Sequence, residues 1–169
     1  FLPLYVFCGD QLLVSYLRPS KIDGAKHTWA ILALLVKRLR EVWPEVRIIF
    51  RGDSGFCRHH MLSWCERKGV GYIVGIAKND ALLRCIREPM VWVQELADKS
   101  GEKQREFFAF YYAAGTWKRR RKVIAKLEIT DQGQNPRFIV TNLAGEKQAL
   151  YDELYCPRGD MENRIKNNN

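Results

Sequence analysis

Apolar and polar positions change period several times along this chain, and each change predicts an element. Residues 3–8 and 11–17 are apolar-rich runs joined by Gly9-Asp10. That is a two-residue hairpin signal, in which Gly supplies positive φ and Asp tolerates the turn. Arg18-Pro19-Ser20 ends the second strand. Over 24–41, Trp29, Leu32, Ala33, Leu35, Val36 and Leu39 recur at helical spacing and predict a helix with a broad apolar face. Lys37, Arg38 and Arg40 fall in its last turn, where cations complement the helix dipole, and Pro44 closes it. A strand is predicted at 46–51, a helix at 56–68 ending on Gly69, and a buried strand at 71–77. Helical stretches follow near 79–87 and, after Pro89, near 91–98. Three β-rich runs at 104–113, 121–130 and 137–143 are separated by Gly115 and by the turn-forming stretch 131–136. The fold class is therefore α/β.

Composition narrows the classes. A chain of 169 residues has the size of one domain and buries a real core. Its 47% hydrophobic content excludes disorder. A formal charge of +9 favours a polyanionic partner, a balance shared with ribosomal and membrane-surface proteins. Cys8, Cys57, Cys65, Cys85 and Cys156 are odd in number and form no Cys-x-x-Cys, which suits a reducing cytoplasm better than a disulfide framework. The sequence shows no apolar run of membrane-spanning length and no signal peptide.

Asp53 stands out. The run Val46-Arg47-Ile48-Ile49-Phe50-Arg51-Gly52-Asp53-Ser54-Gly55-Phe56 puts a carboxylate where a strand emerges and turns toward a helix. In α/β folds, ligands and metals bind at the carboxyl ends of strands. The plainer alternative is that Asp53 or Ser54 caps the helix near Phe56. A second acidic constellation is Tyr155-Cys156-Pro157-Arg158-Gly159-Asp160-Met161-Glu162-Asn163-Arg164-Ile165-Lys166, with Pro157 near a first helical turn. Arg158, Glu162 and Lys166 share one helix face at spacings of four, which also describes an ordinary ion-pair stripe. In Trp117-Lys118-Arg119-Arg120-Arg121-Lys122, five cations follow an aromatic at a turn between strands. This pattern suits phosphate contact with base stacking, or a solvated hairpin tip with Trp117 as a partly buried anchor. Asp10 is explained by its turn. His27, His59 and His60 lack partners at metal-ligand spacing and receive no catalytic role.

Arg51-Gly52-Asp53-Ser54-Gly55-Phe56, Trp64-Cys65-Glu66 and the run from Gly71 to Asn79 resemble the second-aspartate region of bacterial insertion-sequence DDE transposases, specifically the group 1 DDE domain. Thr141-Asn142-Leu143 with Tyr155, Arg158, Glu162 and Lys166 resembles their Tyr-Arg-Glu-Lys region. The likeness spans essentially the whole chain. It implies an RNase H-like core, a mixed sheet flanked by helices, in which three carboxylates hold two divalent metals. Asp53 would be the second acid and Glu162 the third, both catalytic and metal-binding, while Tyr155 and Arg158 contact DNA; Lys166, on the same helix face, is a further DNA-binding candidate. Trp117, Lys118, Arg119, Arg120 and Arg121 are added as DNA-binding candidates on their chemistry. The family's first Asp is expected upstream of Phe1, and its final Lys would fall at 169, which is Asn169. The chain is accordingly expected to be a fragment, inactive or nearly so alone. The segments expected are 1–78 as the first part of the core, 79–143 as a mostly β insertion, and 144–169 as the return carrying the Glu162 helix.

Carboxylate oxygens without Cys or His partners favour Mg²⁺ or Mn²⁺. Two such ions about 4 Å apart support in-line displacement at phosphorus. The expected function is transposon-end cleavage and transfer of the 3′-hydroxyl into target DNA, by a homo-oligomer and away from membranes, at the bacterial nucleoid. The alternatives are a metal-dependent RNase H-like nuclease and an inactive DNA-binding remnant of a decayed element.

Overall fold

A computed structural model describes residues 1–157, which fall into two compact units divided after Ile48. In the first unit, β1 (Leu2–Cys8) and β2 (Gln11–Arg18) form an antiparallel hairpin with Cys8 opposite Gln11 and a bulge at Val6/Phe7. Gly9 adopts φ +55°, the left-handed turn conformation expected of it. Arg18 is buried and donates to the carbonyls of Gly24 and Lys26, both at 2.8 Å, so the following loop is tied back to the strand. The helix expected from 24 begins later, as α1 (Thr28–Val42). The delay has a local cause: Asp23 Oδ1 accepts from Ala25 N–H at 2.8 Å, and this turn, with His27 at φ 71°, holds 23–27 out of the helix. Leu32 and Val36 are buried as the periodicity predicts, but Trp29 remains 45% exposed.

The second unit is built on a six-stranded mixed sheet. β3 (Ile49–Gly52) runs parallel to β4 (Gly71–Ile76), and a 3-10 turn (Ser54–Phe56) and α2 (His59–Arg67) connect them. The helix expected over 56–68 is thus divided, because Cys57 leaves the helical conformation with ψ 78° and Arg58 is extended. Next come α3 (Asp80–Cys85) and α4 (Arg87–Ser100). Asn79 caps the first of these, and Pro89 lies in the first turn of the second, where a missing N–H costs nothing. The three β-rich runs form β5 (Gln104–Tyr112), β6 (Arg121–Thr130) and β8 (Arg137–Thr141), with the short β7 (Gly133–Gln134) beside β6.

Sheet order is β3-β4-β8-β6-β5. The strands from 79–143, read from sequence as an insertion, therefore join β3 and β4 in one sheet. β8 pairs antiparallel with β4, Ile73 opposite Thr141. Asn142 extends that pairing through its side chain, accepting from Tyr72 N–H at 2.7 Å and donating to the Val70 carbonyl at 3.1 Å. Strand parity then assigns the faces. Phe108 meets Trp92 of α4, and Tyr72 donates to Glu66 of α2, so α2 and α4 cover one face. Phe107, of the opposite parity, meets Tyr151 on the other face, where Ile73, Ile124 and Ile139 pack against Leu150, Tyr151 and Tyr155. That covering segment is a helical run with no counterpart in the sequence reading. α5 (Lys147–Ala149) passes directly into a π-helical stretch (Leu150–Tyr155).

Candidate functional site

Asp53 stands at the carboxyl end of β3. Its Oδ1 accepts from Gly55 N–H at 2.8 Å, so it caps the 3-10 turn while the carboxylate keeps a second oxygen. A β-carbon on Gly55 would lie 2.9 Å from that Oδ1, so a side chain there would have to displace the carboxylate. The capping reading and the ligand reading are thus compatible at one residue.

The Tyr155 segment comes to the same place. A β-carbon on Gly75, in β4, would lie 2.6 Å from the Tyr155 hydroxyl and 2.9 Å from Ser54 N. The absence of a side chain at Gly75 therefore lets β4, the Asp53–Ser54 turn and Tyr155 close together. Arg51 strengthens the junction by donating to the Leu154 carbonyl at 3.0 Å across 103 residues of sequence. The wide π turn, closed by Cys156 N–H on the Tyr151 carbonyl at 2.9 Å, brings the Tyr151 and Tyr155 rings into tilted contact with centroids 5.4 Å apart. Such π turns concentrate at functional sites. Burial pushes the Tyr151 hydroxyl up to about 12, so the ring stays neutral.

Asp53, Ser54, Gly75, Tyr151 and Tyr155 line a cleft of about 670 Å³. Its walls bring Lys78, Arg105, Lys126 and Arg137 to Asp53, with Glu128 as the other carboxylate among the described residues. Lys126 donates to Glu128 at 2.8 Å and holds that carboxyl below its ordinary range. Arg105 pairs with Asp152 and lies 4.9 Å over the Phe107 ring. None of these four cations was singled out from sequence. Lys78 follows the end of β4 and the other three come from separate strands, where only parity could have signalled them: Lys126 and Glu128 alternate along β6, as do Arg105 and Phe107 along β5.

The basic run at 118–122 separates into different fates. Arg121 is buried, and its guanidinium donates to Glu66 Oε1 at 2.7 Å and to Ser63 Oγ at 2.9 Å. It belongs to the helix-covered face because β6 begins there with that parity, so its charge is directed inward instead of toward solvent phosphate. Burial alone would raise the Glu66 carboxyl, but hydrogen bonds from Arg121 and Tyr72 and the charges of Arg121 and Arg119 bring it below its usual range. Trp117 is half-buried, edge-on to Tyr112 and 5.0 Å beneath the Arg121 guanidinium, as an anchor would be. Lys118 is exposed. Arg119 approaches Glu66 at 3.4 Å while mostly exposed, and Arg120 donates to the Tyr111 carbonyl at 2.9 Å.

Arg158, Glu162 and Lys166 lie outside the described residues. Among the described residues no group of three His, Cys, Asp or Glu assembles as a metal site, and no helix is long and apolar enough to cross a membrane. Among the described residues, Asp53 is the carboxylate at the end of β3.

The family model for the transposase DDE domain, group 1, matches residues 1–169. No curated protein and no solved structure matches the chain.

Proposed function

We propose, from the premise that this chain belongs to the group 1 transposase DDE domain family, that the cleft at Asp53 is where the phosphodiester of a transposon end is cut and its 3′-hydroxyl is joined to target DNA. The observation that carries this reading is the meeting of the two family motifs. Asp53 of the first and Tyr155 of the second line one cleft, and Arg51 binds Leu154 between them. The parallel β3–α2–β4 unit with an acid at the strand end supports an RNase H-like core.

Asp53 and Glu162 would hold the metal, as hard oxygen donors suited to Mg²⁺ or Mn²⁺, alongside the family's first carboxylate. Bound there, two such ions lower the pKa of an attacking water or hydroxyl and neutralise charge at phosphorus. The remaining work belongs to this chain's residues. The Asp53–Gly55 hydrogen bond fixes the carboxylate's orientation before substrate arrives. Tyr155, buried against β4, sets one wall beside it. Arg158 and Lys166 would grip phosphate oxygens near the cleaved bond, Arg158 through its planar fork. Lys118, Arg119 and Arg120 offer a second, peripheral contact with DNA.

The test is plasmid nicking with this chain joined to the segment that supplies the first acid. Cleavage should require Mg²⁺ or Mn²⁺, and Asp53→Asn or Glu162→Gln should abolish it while DNA binding persists. Near-normal nicking by either variant would refute the assignment. Transfer of a labelled end into plasmid separates transposition from hydrolysis alone.

A further inference from the structure

Arg137 on β8 sits directly opposite Lys126 on β6. Directly opposed side chains in an antiparallel pair have β-carbons about 5 Å apart, and like charges so placed destabilise the sheet. Both residues lie on the face that carries Tyr151, and both open into the Asp53 cleft. Lys126 has part of its charge answered, by Glu128 at 2.8 Å and by the Tyr151 ring 5.9 Å away. Arg137 is exposed and has no hydrogen bond or ion pair among the described residues. A pair of cations kept face to face, one of them without a partner among the described residues, in a cleft already holding Lys78 and Arg105, is an arrangement suited to an anion.

We propose that Arg137 and Lys126 form a phosphate seat that carries the DNA backbone from Asp53 across strands β8 and β6. The assignment rests on the DNA-cutting reading of the cleft. It adds a binding surface made by the sheet itself, distinct from the Tyr155–Lys166 motif and from the 118–122 loop. Two cations held opposite one another by the strand register would receive oxygens of a single phosphate group; the Arg137 fork supplies paired N–H donors and Lys126 a point charge. The strand would then run past Tyr151 and Tyr155, which line the cleft with ring centroids 5.4 Å apart.

The experiment uses the full 169-residue chain and a fluorescein-labelled DNA duplex, titrated by anisotropy across a NaCl series in EDTA. Arg137→Gln and Lys126→Gln should each weaken binding several-fold and flatten the log–log salt slope by about 0.9, the contribution of one lost phosphate contact. The thermal midpoint of Arg137→Gln should stay the same or rise, since one of two opposed cations is gone. Arg67→Gln, on the exposed side of α2, should leave the slope unchanged. Wild-type slopes in both cleft variants would overturn the proposal, and so would an equal loss in Arg67→Gln, which would mean unspecific charge attraction. Asp53→Asn should keep the wild-type slope, and its nicking is scored separately in the chain joined to the segment that supplies the first acid, so failure of the seat and failure of the catalytic reading give different results.

Discussion

The Tyr155 hydroxyl lies 2.6 Å from the point that a β-carbon on Gly75 would occupy. Two segments far apart in sequence are thus in contact through the absence of a side chain, one strand away from Asp53. Much of the site's geometry depends on that contact.

Gly75→Ala should therefore strain the junction. The added methyl meets the Tyr155 hydroxyl and, at 2.9 Å, the backbone nitrogen of Ser54, which moves less readily. Overpacking of this kind costs about 1–3 kcal/mol, read as a lower urea midpoint at constant slope. Adding Tyr155→Phe should restore part of the loss by removing the closer of the two atoms. Simple additivity of the two substitutions would mean that the residues do not share this contact.

Glu66 gives the fold a pH-dependent element. Its folded carboxyl lies below the ordinary value of 4.5, because the hydrogen bonds and charges of Arg121, Tyr72 and Arg119 outweigh burial. A depressed folded value contributes stability that is present above the unfolded value and lost as pH falls through the folded one. Wild type should accordingly exceed Glu66→Gln in stability at neutral pH, with the gap closing as pH drops below 4.5. Removing one partner of so enclosed a pair should cost about 3 kcal/mol at neutral pH. Urea midpoints measured from neutral to acidic pH test this, and a gap that does not change with pH would contradict the ion pair's role.

The loop before β6 should divide by residue. Trp117→Ala removes the ring beneath Arg121 and should cost about 2 kcal/mol of stability, since the indole is only half-buried. Replacing Lys118, Arg119 and Arg120 together by Ala should leave the thermal midpoint nearly unchanged. It should flatten the salt slope of DNA binding by about 0.9 for each cation that meets a phosphate. An unchanged slope would reduce this run to a solvated hairpin tip.

Much of the architecture was legible because local chemistry and the final fold agree. The Gly9-Asp10 hairpin, the span 121–130 and the emergence of Asp53 at a strand end all follow from turn residues and period-two patterning. Sheet order was not legible. The pairing of β4 with β8 joins strands separated by two helices and three other strands, and no local pattern encodes that partner. The π-helical turn at Leu150–Tyr155 escaped because its i+5 spacing follows neither the helical nor the strand period. The charge run at 118–122 drew attention by density, whereas strand parity sends Arg121 inward and gathers Lys126 and Arg137 at the cleft from separate strands. In a sheet, contiguous cations split between faces, so a basic surface is assembled across strands.

The central claim is that Asp53 and Glu162 serve one metal site beside Tyr155. Substituting Fe²⁺ for Mg²⁺ and generating hydroxyl radicals with ascorbate and peroxide cuts the polypeptide next to the bound metal. The measurement uses the chain carrying its first acid, with cut positions read by mass spectrometry. Cuts should fall at the end of β3 around Asp53 and in the segment around Glu162, and Asp53→Asn should remove both sets together. Cuts confined elsewhere, or cuts near Glu162 that persist undiminished in Asp53→Asn, would show that the two acids do not share a site.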